Sequence, residues 1–418
     1  MAIFRLAIQS LTNRKATAFL TILTVAISVA LLLGVERVRT QAKESFANTI
    51  SGTDLIVGAR SGQVNLLLYS VFRIGNATNN IGWDSVEEIQ RHPSVAWSIP
   101  ISLGDSHRGF RVVGTTGDYF THYKYGNKQP LTFTQGLPFN GLFDTVIGAE
   151  VAEKLEYKLG DDIVIAHGLA DRKFSRHDNL PFTITGILAP TGTPVDRSVH
   201  VSLPAIEAIH IGWESGARMG VGVSAEGIDP DKLQPEQITA LLVGLKSKIQ
   251  TFALLRTINE YKREPLTAIM PGIALHELWG LMSVAEQALL VVSGFVVVAG
   301  LLGMLSSLLT SLNERRREMA ILRAMGARPA HIFALLISEA VCLTLIGIML
   351  GIASVFAVIT IAAPFVLSQY GLQLSATLLN SREWMLMGIV LVSGLLVGVL
   401  PALRAYRQSL SDGMTIRI

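Results

Sequence analysis

Two scarcities bound what this 418-residue chain can be: it has a single cysteine, and only 16% of its residues are charged. One thiol, Cys342, excludes any disulfide within the chain, so every folded part holds together by packing. The low charge stands against 50% hydrophobic residues and a mean hydropathy of +0.44, which excludes an ordinary soluble protein. The formal net charge of +3 is small and gathers in a few short segments, so nothing favours nucleic acid. Catalytic patterns are also missing. No G-x-x-x-x-G-K run ends in Ser or Thr, so no phosphate-cradling loop is present, and no serine stands in G-x-S-x-G. The pair His276 and Glu277 lacks the second histidine of a zinc protease. His107, His167, His177, His200 and His210 are scattered without ligand spacing, so no metal site is expected.

What is present is a set of long apolar runs. Residues 16–35 cross about twenty positions without a charge, enough for a first span; a cleaved signal peptide is the rival, but the run exceeds the usual apolar core of roughly 7 to 15 residues. Before it, residues 1–15 place Ile3, Phe4, Leu6, Ala7 and Leu11 on one helical face beside Arg5, Arg14 and Lys15, which predicts an interfacial helix. Further spans are expected at 286–312, 332–366 and 384–403, with an outer loop at 367–383 and a basic tail at 404–418. Between the first two spans, residues 36–282 read as an α+β domain entered and left through helical stalks. Strands are expected at Thr53 to Val57, Gly109 to Val113, Asp144 to Ile147, Asp162 to Ala166, Phe182 to Leu188 and Ser198 to Leu203. Helices are expected at Trp83 to Gln90, Glu150 to Leu155 and Gln234 to Ile249. The fold class is thus an α-helical four-span membrane domain plus an α+β extracytoplasmic domain inserted between the first and second spans.

Residues 313–331 set the orientation. Arg315, Arg316, Arg317, Arg323 and Arg328 outnumber Glu314 and Glu318, the excess of a cytoplasmic loop, and with four spans both termini then face the cytosol. Arg37 and Arg39 fall on the outer side against this bias, which long translocated domains obey weakly. Met319, Leu322 and Met325 recur at helical spacing, Gly326 supplies a C-cap and Pro329 suits the first turn of the next helix, so the loop is itself a short amphipathic helix. Such a helix can lie on anionic lipid or dock on a protein.

The run E-R-R-R-E-M-A-I-L-R-A-M-G-A-R, Glu314 to Arg328, resembles the coupling-helix signature of FtsX/MacB-type (type VII, mechanotransmission) ABC transporter permease subunits. The stretches Val112 to Phe120, Asp144 to Asp161 and Phe182 to Leu188 resemble the extracytoplasmic domain of the same family, and Gly398 to Ala405 resembles the end of its last span. Ala320 stands where the family often has Gly, and the usual D-P-x-x-A-L-R continuation is replaced by Ser411, Asp412, Gly413 and Met414. The resemblance implies that Arg315, Glu318, Met319, Leu322, Arg323, Met325 and Gly326 contact an ABC ATP-binding subunit. ATP and Mg would be bound by that partner, the chain having no cofactor or catalytic residue of its own. A second permease copy, as a homodimer, is implied, as is a bacterial inner-membrane location. A periplasmic, lipoprotein or outer-membrane partner stays open.

The spans hold two G-x-x-x-G patterns, Gly347 with Gly351 and Gly394 with Gly398, which allow close helix packing within or between protomers. Glu339 interrupts the third span; it is either functional, as intramembrane acids are by default, or it snorkels to the interface or pairs with a basic residue such as Arg328. Apart from Glu286 and Glu339 the spans are nearly free of ionisable residues, which argues against a hydrophilic conduit. The expected function is therefore permease work: coupling ATP hydrolysis by a partner to conformational work outside, for export or release of a substrate. An FtsX-like regulatory complex acting on a partner such as a cell-wall hydrolase is the alternative, and a membrane-anchored enzyme is a weaker one.

Overall fold

A computed structural model describes residues 14–168, 180–211, 233–314, 316–370 and 376–407. The expected N-terminal interfacial helix and the tail beyond Arg407 lie outside them. Four long helices carry the apolar runs: Lys15–Thr49, Pro271–Glu314, Pro329–Tyr370 and Ser381–Arg407, each with a window apolar and long enough to cross a membrane. They exceed the spans read from hydropathy. The first continues unbroken through the expected stalk to Thr49, the second begins at Pro271, and the third enters the expected outer loop. Hydropathy registers where lipid would sit, whereas the backbone hydrogen-bond ladder continues until a residue breaks it.

The chain divides into two compact units. In the helical unit, Val25, Val29 and Leu33 recur every fourth residue along the first helix and meet Ile348, Val355 and Ile359 of the third and Met387 and Val390 of the fourth. Leu301, Met304 and Leu308 of the second helix pack on Ala340 and Leu343 of the third. The outward faces are apolar too, with Phe19, Ile27, Phe295, Met349 and Ile361 exposed, as helices facing hydrocarbon require.

The second unit, Ala42–Met282 with Val366–Gln373, is built on an 11-stranded mixed sheet. Its path runs Leu266–Ile269, Leu55–Ala59, Ala240–Leu245, Val95–His107, Phe110–Thr115, Ser198–Ser202, Asp144–Ile147, Phe182–Leu188 and Phe133–Gly136. Ala166–His167 pairs with Val95–His107, and Asp162–Ile163 with Phe182–Leu188. Two pairings are parallel: Ser198–Ser202 on Phe110–Thr115, and Asp144–Ile147 on Phe182–Leu188. Both faces are covered. Ile56, Val113, Val146 and Leu242 point into one core, while Leu55 and Val57, Leu241 and Val243, and Val112 and Ile147 point into two others on the opposite face.

That double burial corrects one expectation. Gln234 to Ile249, read as a helix, contains strands Gln237–Ile238 and Ala240–Leu245 followed by a short 3-10 turn at Lys248–Gln250. Ala-Leu-Leu-Val-Gly-Leu is buried on both sides, so its sequence lacks the alternation that marks a half-exposed strand. The expected strand Asp162 to Ala166 is likewise two short strands, Asp162–Ile163 and Ala166–His167.

Candidate functional site

The basic loop folds as a helix, Arg316–Ala324, between the second and third long helices. Its end is a Schellman motif: the Ala327 N–H donates to the Leu322 carbonyl at 3.0 Å and the Gly326 N–H to the Arg323 carbonyl at 2.9 Å, with Gly326 at φ +97°. A side chain at that φ would be strained, so glycine is what lets the chain turn back into the third helix. The residues expected to contact an ATPase divide into two groups. Met319 is only 8% exposed and packs on Leu312, Ile332, Leu336, Ala402 and Ala405. Arg323 donates through Nη2 to the carbonyls of Ala405 at 2.9 Å and Tyr406 at 3.3 Å. These carbonyls end the fourth long helix, where a cation is favoured by the unsatisfied groups and the helix dipole. Met319 and Arg323 thus hold the short helix against the spans. Met325, 72% exposed, and Ile321, 51% exposed and absent from the expected set, are turned away from that packing; Leu322 is intermediate. Arg315 and the side chain of Glu318 lie outside the described residues.

The four glycines of the G-x-x-x-G patterns are contacted within the chain. A Cβ on Gly347 would fall 2.6 Å from Val25 Cγ1, one on Gly351 2.7 Å from Val29 Cγ1, and one on Gly398 2.5 Å from the Ala340 Cβ. Gly394 is pressed on Thr344 in the same way. These approaches bring the first and fourth helices onto the third. Glu339 is 3% exposed beside this packing.

The helix ends that meet near Arg37 and Glu383 carry a charge network that hydropathy did not reveal. Arg37 is 2% exposed; its Nε meets Glu383 Oε1 at 2.9 Å, its Nη2 donates to the Thr377 carbonyl at 2.7 Å, and its guanidinium lies 4.5 Å from the centre of the Phe356 ring. Glu36, also buried, accepts from Arg39 at 2.8 Å and from Arg382 at 3.1 Å, and Arg39 reaches Glu286 at 3.6 Å. All four long helices are therefore tied at one level. Arg37 and Arg39 are neutralised by acids, which offsets the cost of taking their charges out of water. Glu383 does a second job: its N–H donates to Asn380 Oδ1 and its carboxylate accepts from the Asn380 N–H, both at 2.8 Å, a reciprocal capping box. The signal was readable as Asn380-x-x-Glu383 before an apolar run.

Within the sheet unit the two stalk segments touch. Phe46 of the first long helix meets Trp279 of the second edge to face at 5.5 Å and Phe72 at 4.5 Å, while Lys43 Nζ lies 5.4 Å from the centre of the Trp279 ring.

Comparison with known proteins matches this architecture in two blocks. The family profile described as MacB-like periplasmic core domain matches residues 18–251, and that described as FtsX-like permease C-terminal matches residues 290–410. The chain is 25% identical over 419 residues to the macrolide export ATP-binding/permease protein MacB of Nitrobacter winogradskyi, covering 96% of this chain and 58% of that protein. It is 24% identical to the pyoverdine export ATP-binding/permease protein PvdT of Pseudomonas savastanoi pv. phaseolicola, covering 68% of this chain and 43% of that one. The crystal structure of the periplasmic region of MacB from Actinobacillus actinomycetemcomitans aligns with a TM-score of 0.35 at 9% identity, over 55% of this chain and 94% of that one. The chain spans little more than half the length of the Nitrobacter relative. With one profile covering more than half of its residues and the second most of the remainder, the chain belongs to the FtsX/MacB-type family of ABC transporter permeases.

Proposed function

We propose that this chain is the permease subunit of an ABC export system, and that it couples ATP hydrolysis by an ATP-binding partner to conformational work of its sheet unit at the outer face of the bacterial inner membrane. In this reading both termini and the Arg316–Ala324 helix are cytoplasmic, two permease copies pair, and ATP and Mg sit in the partner. Macrolide export and pyoverdine export appear in the relatives' names, so export or release of a compound at the outer face is the proposed outcome.

The observation that carries the reading is the two-sidedness of the short helix. Met319 and Arg323 fasten it to the long helices, while Ile321 and Met325 present apolar surface outward on a basic loop. A helix held firmly on one side and apolar on the other can pass a partner's movement to the spans. The buried ionic groups at the outer ends are paired with one another rather than lining a conduit, which favours transmitted movement over a pore. The test is a pull-down with the ATP-binding partner. Ile321→Asp with Met325→Asp should leave the protein inserted and folded and reduce capture at least tenfold. Undiminished capture by that double variant refutes the docking role.

A further inference from the structure

Three residues far apart in sequence converge in the sheet unit. Asp105 lies in strand Val95–His107, His167 stands opposite it as its register partner in Ala166–His167, and His210 ends the helix Leu203–His210. Asp105 is 3% exposed, whereas both imidazoles are about one-third exposed and reachable from solvent. His167 Nδ1 is 2.9 Å from Asp105 Oδ1, His210 Nε2 is 3.5 Å from Asp105 Oδ2, and the donor atoms all lie within 4.8 Å of one another. The two imidazoles stack at 4.5 Å with planes 9° apart.

We propose that Asp105, His167 and His210 form a binding site for one divalent transition-metal ion of the zinc type, with its remaining coordination position left to water. The donor set is two imidazole nitrogens and one carboxylate oxygen, the borderline combination that suits zinc rather than calcium or magnesium. Ligand atoms at about 2.0–2.1 Å from a tetrahedral ion stand about 3.3 Å apart. His167 stands 2.9 Å from Oδ1 and His210 3.5 Å from Oδ2, on either side of that value, and with all donor atoms within 4.8 Å of one another side-chain adjustment can close them on one ion. Two ligands come from paired strands and one from a helix end, so the ion would clamp three segments that only the tertiary fold brings together. The site is separate from the short basic helix and does not depend on the coupling assignment.

The experiment uses full-length protein, free of any histidine tag, purified in detergent, stripped with chelator and dialysed against zinc. Metal content by mass spectrometry should reach one zinc per chain for the wild type. His167→Ala with His210→Ala, and separately Asp105→Asn, should weaken binding at least tenfold, whereas His276→Gln should leave it unchanged. Circular dichroism and gel filtration establish that each variant is folded, and His210→Gln serves if the double variant is not. Cobalt added to the wild type should give the intense visible bands of a low-coordinate nitrogen and oxygen site. Zinc binding that is equal in wild type and in folded site variants, or wild-type protein that takes up neither zinc nor cobalt, overturns the proposal.

Discussion

His200 lies in strand Ser198–Ser202 with no exposed surface, its ring 4.9 Å from that of Tyr119 and 5.9 Å from that of Phe120, and its Nδ1–H donates to the Val146 carbonyl 3.3 Å away. Burial first, and the nearby Arg73 charge second, hold its pKa down to about 3 from an ordinary 6.5, against a smaller opposing effect of the Val146 hydrogen bond. The folded-state value is depressed, so the neutral ring's contribution to stability is complete above about 6.5 and is lost as pH falls from there towards 3. Each pH unit in that window costs about 1.4 kcal/mol. From pH 7 to pH 5 the loss is about 2 kcal/mol, roughly a 25-fold rise in the opening constant of the sheet unit. Hydrogen exchange of the full-length protein measures this directly. Protection of peptides covering 198–202, corrected for intrinsic exchange, should fall by that factor in the wild type and by much less in His200→Gln, which cannot titrate. Parallel losses in the two proteins would show that His200 is not the titrating group.

Two further outcomes test the helical unit. Arg37→Met strands the Glu383 carboxylate in a buried site and should cost about 3–5 kcal/mol, with Glu383→Gln in the same chain recovering part of it; thermal denaturation in detergent checks this, and a fully stable Arg37→Met variant would refute the buried pairing. Gly351→Ala should lose about 1–3 kcal/mol because the new Cβ would lie 2.7 Å from Val29 Cγ1 and 2.9 Å from the Ala26 carbonyl, and Val29→Ala should relieve part of that loss. Additive losses in this pair would mean that the two helices do not approach at Gly351.

Determination by sequence was strongest where the constraint is local or comes from outside the chain. A bilayer demands about twenty apolar residues in a row whatever the rest of the molecule does, so the four runs were legible. Gly326 is equally local: a helix ending in a left-handed residue wants glycine there, and the Schellman hydrogen bonds are where the pattern placed them. Asp144–Ile147, Phe182–Leu188 and Trp83–Gln90 have the bounds expected from their turn signals. Sheet order was a different matter, because Ala240–Leu245 is buried on both faces and Val95–His107 contains Pro100 and Gly104, which punctuate most sequences that are not strands. Tertiary structure alone decided which face of the Arg316–Ala324 helix is spent inside, since Met319 and Met325 are chemically identical and differ only in whether Ala402 and Ala405 come to meet them. It decided that Gly347 and Gly351 serve contacts within one chain. It also brought Asp105, His167 and His210 together across separations that no spacing rule spans, because side chains gather by strand register and helix placement, and neither is written in the distance between residues along the chain.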